Sequence, residues 1–95
     1  MLAQLIKFKS TLTEDEAMAI ARERAPEFRA IPSLVQKYYL KLSEPNSFAG
    51  FYIWDSAQAL AEFRQSELAK TIPSAYRIEG APEIMVGEVM FPLRN

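Results

Sequence analysis

One stretch, FAGFYIWDSAQALAEF at positions 48–63, limits the fold of this chain more than any other. Side chains of an extended segment alternate between two faces. Phe48, Tyr52 and Trp54 share one face of this segment, and Phe51 and Ile53 share the other. A strand that is apolar on both parities needs cover on both sides. An alanine-rich helical pattern begins directly after it, with Ala57, Leu60, Ala61, Arg64 and Leu68 in one row and Phe63 beside it. Small side chains in that row let a helix lie close against a sheet. Gly50, in mid-strand, marks a bulge or a close backbone approach.

The rest of the chain supplies matching parts. Leu2 to Lys9 reads as a strand, with Ile6 and Phe8 on one parity and Leu5, Lys7 and Lys9 on the other. Thr13 and Glu16 have capping-box spacing, and Glu14, Asp15 and Glu16 suit the positive end of a helix. Ala17, Ile20, Ala21, Arg24 and Phe28 continue that helix as one stripe, and Pro26 is expected to end or kink it. Leu34 to Leu42 is a second strand. Gln36, Tyr38 and Leu40 alternate there with Lys37, Tyr39 and Lys41, and the pattern leaves open which set faces the helices. SEPNS (43–47) is turn chemistry and predicts a hairpin into the strand of Phe48–Trp54. Asp55 is the expected cap of the second helix, with Gln58 at the capping-box position. Residues 70–80 are ambiguous, a short strand or irregular segment around Tyr76–Ile78, and Pro82 to Phe91 reads as the last strand.

The order βαββαβ predicts a single α+β domain over residues 1–95. It is ferredoxin-like, with a four-stranded antiparallel sheet and both helices on one face. The other face should then be polar, yet the strands stay apolar on both parities. Hydrophobic residues make up 49% of the 95 positions and aromatics 12%. A domain of this size buries only about 60–65% of its unfolded surface, so this surplus points to a second subunit or an internal cavity. A homodimer packed through its sheet faces is the simplest cover.

Composition excludes several functions. The net charge is −1 and the basic residues form no stripe, which argues against a nucleic-acid partner. No apolar run approaches the roughly 20 residues of a membrane span. The opening MLAQLIKFKS lacks the features of a secretory signal. The absence of cysteine excludes disulfides and thiol chemistry and fits a cytoplasmic location. Without histidine, His-held haem, the usual zinc sites and His-based triads are excluded. Three glycines cannot build a phosphate-binding loop, and Glu14-Asp15-Glu16 is explained by helix capping rather than by a metal.

The segments FRAIPSLVQKYYL (28–40), FAGFYIW (48–54) and Asp55-Ser56 leading into an alanine-rich helix resemble the dimeric α+β barrel superfamily. Within it, they are most similar to the small YdhR-like proteins, a group assigned as monooxygenases. The likeness spans the chain in element order, and its motifs cover about a third of it. It implies a homodimer forming a barrel, with a pocket between sheet and helices in each protomer. It implies a monooxygenase-like activity, needing no cofactor and no metal, on a small apolar or aromatic molecule. The alternative is a non-enzymatic ligand-binding or stress-associated dimer. The antibiotic-monooxygenase branch often carries a histidine nine residues after the tryptophan that ends the strand, and here that pocket position is Phe63.

Oxygenation without a cofactor needs an electron-rich anion, a dry pocket and groups that stabilise the charge. On that reading Arg64 steadies an anion from helix two; otherwise it pairs with Glu67 or Glu62 at the surface. Tyr38 supplies an orienting hydroxyl. Glu88, which interrupts the apolar last strand, is a base if buried, or else a partner for Lys7 or Lys9. Tyr52, Trp54, Phe63, Tyr39 and Lys37 are the expected substrate-binding residues, against the plainer reading of core or interface packing. Lys37 and Lys41 either hold an acidic ligand or protect a sheet edge.

Overall fold

Two hydroxyl side chains set the starts of the main helices. A computed structural model describes residues 1–94. In it Thr13 accepts from the Glu16 amide at 3.2 Å, while the Glu16 carboxylate accepts from the Thr13 amide at 2.9 Å. This capping box begins α1, Glu14–Arg29. The helix continues through Pro26 rather than stopping there. Proline removes one backbone donor, but Phe28, buried in the last turn, anchors the helix end in the core. The second helix, α2 (Ala57–Gln65), is capped by Ser56, whose hydroxyl accepts from the Ala59 amide at 3.1 Å. Asp55 is not the cap. Its amide still donates to the Ser33 carbonyl at 3.0 Å, which ties it to the preceding hairpin. Gln58 turns instead to Glu62, at 3.1 Å.

The strands are β1 (Leu2–Ser10), β2 (Leu34–Lys41), β3 (Ser47–Trp54) and β4 (Ile78–Glu88), in the antiparallel order β2-β3-β1-β4. Helices cover one face of this α+β sheet. Two further helical turns follow: α3 (Glu67–Lys70), where the expected row of helix two ran on to Leu68 but α2 stops at Gln65, and α4 (Ile72–Ala75), in the segment that the sequence left ambiguous. Ser66 makes that corner. Its extended backbone ends α2, and its hydroxyl caps α3 through the Ala69 amide. The last strand starts earlier than Pro82 and stops at Glu88, after which the Val89 amide donates to the Met1 carbonyl at 2.9 Å. Opposite Phe8 the β1–β4 pairing is irregular between Lys7 and Lys9, and Gly80 there takes a positive φ of 71°. Positive φ costs glycine nothing.

The core lies between β1, β3 and the helices. Trp54 is fully buried, and its indole N–H donates to the Gln4 side-chain oxygen at 3.0 Å. Tyr52 stacks on Trp54 with centroids 5.9 Å apart, and Phe63 lies 4.9 Å from Trp54. These rings meet Phe28, Leu60 and Ala59 in one cluster. The ring of Tyr52 also overhangs Gly50, where an added Cβ would stand 2.9 Å from Cε1 of Tyr52. A side chain, not a neighbouring backbone, makes the close approach at that glycine.

A bulge decides how β2 is turned. Leu34 pairs with Trp54 and Gln36 with Ile53, so Val35 is the extra residue. From that point Lys37, Tyr39 and Lys41 lie opposite Tyr52, Gly50 and Phe48, and therefore face the helices. Tyr38 and Leu40 lie opposite Phe51 and Ala49 on the uncovered face. Tyr38 stacks on Phe51 there at 6.3 Å, and Met85 adds a largely exposed apolar side chain.

Candidate active site: a cavity beside a half-buried lysine

Between the sheet and α1 and α4 lies a cavity of about 140 Å³. Ile6, Phe8, Ala17, Ala21, Phe48 and Ile72 form its apolar wall. All but Ile72, which comes from α4, follow a sequence rule already met: β1 and β3 turn alternate residues inward, and α1 presents its small residues at helical spacing. The polar groups are Lys37 and Tyr39 from β2, Tyr52 from β3, Tyr76 after α4, and the Glu14–Lys41 pair, which closes at 2.9 Å.

Lys37 occupies the middle of this arrangement. Its Nζ lies 3.5 Å from the ring centroid of Phe28, 4.3 Å from that of Tyr39 and 4.6 Å from that of Tyr52. Burial, assisted by the nearby Arg24 charge, lowers its pKa from 10.5 to about 7. The three ring faces oppose that effect, because a cation is attracted to the negative face of an aromatic ring. Burial moves the phenols the other way. Tyr76 rises to about 12, Tyr52 goes well above the usual phenol range, and Tyr39 is raised with partial relief from Arg29 and Arg24. At neutral pH the tyrosines are therefore hydrogen-bond donors, beside an amine balanced between its two protonation states.

Two buried polar atoms near the cavity lack partners among the described residues, the Tyr76 hydroxyl and Arg24 Nε. The other end of Arg24 is engaged, donating at 3.0 Å to the Leu68 carbonyl and at 3.0 Å to the Thr71 hydroxyl. It thereby clips α1 to the corner at α3, instead of reaching into solvent as a surface arginine would.

Of the eight residues expected at a site, Lys37, Tyr39 and Tyr52 line the cavity together. Trp54 and Phe63 stand behind Tyr52 as core, and the indole donor of Trp54 is already taken by Gln4. The other three lie elsewhere. Arg64 is exposed, because α2 buries Ala59, Leu60 and Phe63, a row one residue round from the expected one. Tyr38 is on the uncovered sheet face, 53% exposed. Glu88 is exposed at the end of β4, opposite Leu2, so it is neither a buried base nor a partner for β1 lysines. Lys7 pairs with Glu83 and Lys9 with Glu44. Lys37 and Lys41 both lie on the edge strand β2 with their side chains on the helix side of the sheet, and Lys41 stays exposed in its pair with Glu14. Tyr76 escaped sequence reasoning. The signal for it was the i, i+4 spacing of Ile72 and Tyr76 around Pro73, which reads as one helical turn with a buried side.

No protein-family model matches the chain, and no curated protein matches it in sequence. Its fold is shared with solved antibiotic-biosynthesis-monooxygenase structures. One is SnoaB of Streptomyces nogalater, described as a cofactor-independent oxygenase: 16% identical, TM-score 0.78, covering 99% of this chain and 97% of that one. A Deinococcus radiodurans protein with the provisional description of an antibiotic biosynthesis monooxygenase is 14% identical, with TM-score 0.76 and coverage of 100% and 98%. A Nitrosomonas europaea protein of unknown function is 16% identical, with TM-score 0.74 and coverage of 96% and 90%. At these identities the likeness is one of fold.

Proposed function

We propose that this chain is a cofactor-independent monooxygenase acting on a small hydroxylated aromatic molecule of the anthrone type, held in the cavity around Lys37. The observation that carries the proposal is the Lys37 amine on the wall of an apolar cavity, caged by Phe28, Tyr39 and Tyr52. The likeness to SnoaB supports the class of reaction. Neutral Lys37 takes the acidic proton of the substrate and becomes the ammonium beside the resulting carbanion–enolate. Tyr39, Tyr52 or Tyr76 donates to the enolate oxygen. The anion gives one electron to oxygen, the two radicals combine as a peroxide anion that takes the proton back from the Lys37 ammonium, and loss of water from the hydroperoxide leaves the quinone. One atom of oxygen enters the product and the other leaves in water. In this reading Arg64, Tyr38 and Glu88 have no part in the chemistry, and Trp54 and Phe63 support Tyr52 from behind. The KYYL strand (37–40) followed by Asp55-Ser56 supports a place in the YdhR-like group.

The test is oxygen uptake with anthrone in air. The protein is expected to exceed the buffer rate, and Lys37→Met to lower that excess by about 10²-fold, the usual contribution of a positioned base. No uptake above buffer, with anthrone retained, makes the chain a binding protein without turnover.

We further infer that a second copy covers the uncovered sheet face, where Tyr38, Leu40 and Met85 are 53%, 39% and 65% exposed. An apolar face of this kind suits a self-complementary interface. Sedimentation is expected to give a dimer, which Met85→Glu weakens by placing charges face to face. A lone particle of 10.8 kDa at micromolar concentration overturns this inference.

A further inference from the structure

We propose that Lys37 is also a nucleophilic amine, which captures a single-ring aromatic aldehyde in this cavity as a Schiff base. Its surroundings carry the argument. Glu14 is the one carboxylate among the described residues lining the cavity, and it is held by Lys41 at 2.9 Å. A second groove, of about 360 Å³, reaches Lys37 from the side of α1 and β2. It is lined by Ala25, Phe28, Arg29 and Leu34 among others, and by no acid. The charged neighbours, Arg24 and Arg29, are cations on α1, and the facing titratable groups on β2, β3 and beyond α4 are the protonated phenols of Tyr39, Tyr52 and Tyr76. Among the described residues, Lys37 is thus a half-buried amine without a carboxylate partner at either hollow. A desolvated lysine near another cation is the standard way to obtain a neutral, nucleophilic amine at neutral pH.

The step balances without a further reagent. The amine nitrogen adds to the aldehyde carbon, a proton moves from nitrogen to the new alkoxide, and the hydroxyl leaves with another proton as water while the C=N bond forms. Nothing is oxidised or reduced. The rings of Phe28, Tyr39 and Tyr52 favour a cation over their faces, and they hold a protonated imine as they hold an ammonium. The apolar wall suits a ring-bearing aldehyde and limits the water that would reverse the step. This inference does not depend on the oxygenase reading, since its readout is a covalent adduct in the absence of turnover.

The experiment treats the folded protein at pH 7 with benzaldehyde and cyanoborohydride, which reduces the imine to a stable benzyl-lysine, and follows each lysine by peptide mass mapping. About half of Lys37 is neutral at that pH, against roughly one in three thousand for an ordinary lysine. The lower nucleophilicity of a weaker base cancels about half of that gain on a logarithmic scale. Lys37 is therefore expected to be labelled about fiftyfold faster than Lys7, Lys9, Lys41 or Lys70. The advantage is expected to vanish in urea, and Lys37→Arg to remove only the fast label. Labelling of Lys37 no faster than that of Lys70 overturns the proposal, and so does an advantage that survives unfolding.

Discussion

Replacing Lys37 by methionine should stabilise the protein, and should do so in a pH-dependent way. Methionine keeps the unbranched length and discards the charge. A fall in pKa from 10.5 to about 7 is equivalent to at most about 5 kcal/mol of penalty on the charged form. Solvent reaches the half-buried ammonium and screens part of this, so about 5 kcal/mol is an upper limit. Below pH 7 Lys37 is protonated in both the folded and the unfolded chain, so the whole penalty is present. Between pH 7 and 10.5 the unfolded chain binds more protons at this site than the folded one does. Stability of the wild type therefore rises with pH, and above 10.5 the penalty is gone. Lys37→Met lacks this titration. At pH 6 its melting temperature should exceed that of the wild type, by about 4–8 °C for each kcal/mol of penalty that survives screening in a domain of this size. The gap should close towards pH 10, read by circular dichroism melts of both proteins in matched buffers. Other titrating groups are common to the two proteins and cancel in the difference. A gap that stays constant from pH 6 to pH 10, or that widens, refutes the reasoning.

Two further substitutions test the packing that holds the cavity in place. Trp54→Phe leaves the buried Gln4 oxygen without its donor and opens space beside Phe63; urea unfolding should show a loss of about 2–4 kcal/mol, and a loss below about 1 kcal/mol contradicts the role assigned to that pair. Gly50→Ala brings a methyl group within 2.9 Å of the Tyr52 ring, so it should cost about 1–3 kcal/mol and alter the near-ultraviolet circular dichroism as Tyr52 shifts; unchanged spectra and stability would mean that the ring yields freely.

The parts of this fold that were legible in the sequence are those fixed by neighbours along the chain. The Thr13–Glu16 box needs only residues three apart, and it forms as the spacing predicts. The parity of β3 is equally local: Phe48, Tyr52 and Trp54 point together because nothing interrupts alternation between them. Where sequence reasoning placed a feature one residue off, a distant partner was responsible. Asp55 lost the cap to Ser56 because its amide is held by Ser33, which lies 22 positions earlier. Arg64 looked inward from α2 because Ala57, Leu60 and Ala61 form as good a row as Ala59, Leu60 and Phe63; only packing against Trp54 selects between them.

The same distinction explains the site. Val35 is a bulge because of how β2 meets β3, with Leu34 opposite Trp54 and Gln36 opposite Ile53, and no residue within β2 announces it. Without it, the inward anchor Leu34 would carry Gln36, Tyr38 and Leu40 towards the helices, and Lys37 and Lys41 would sit outside as edge lysines. With it, the strand turns over after one residue. The cationic side enters the cavity and the apolar side meets solvent. One unpaired residue thus creates two problems for the chain at once, a desolvated amine within and an uncovered apolar sheet without. Rings around Lys37 relieve the first. The same substitution that tests the amine, Lys37→Met, leaves the second untouched, so stability gained in that variant without any change in self-association would show that the two consequences of the bulge are energetically separate.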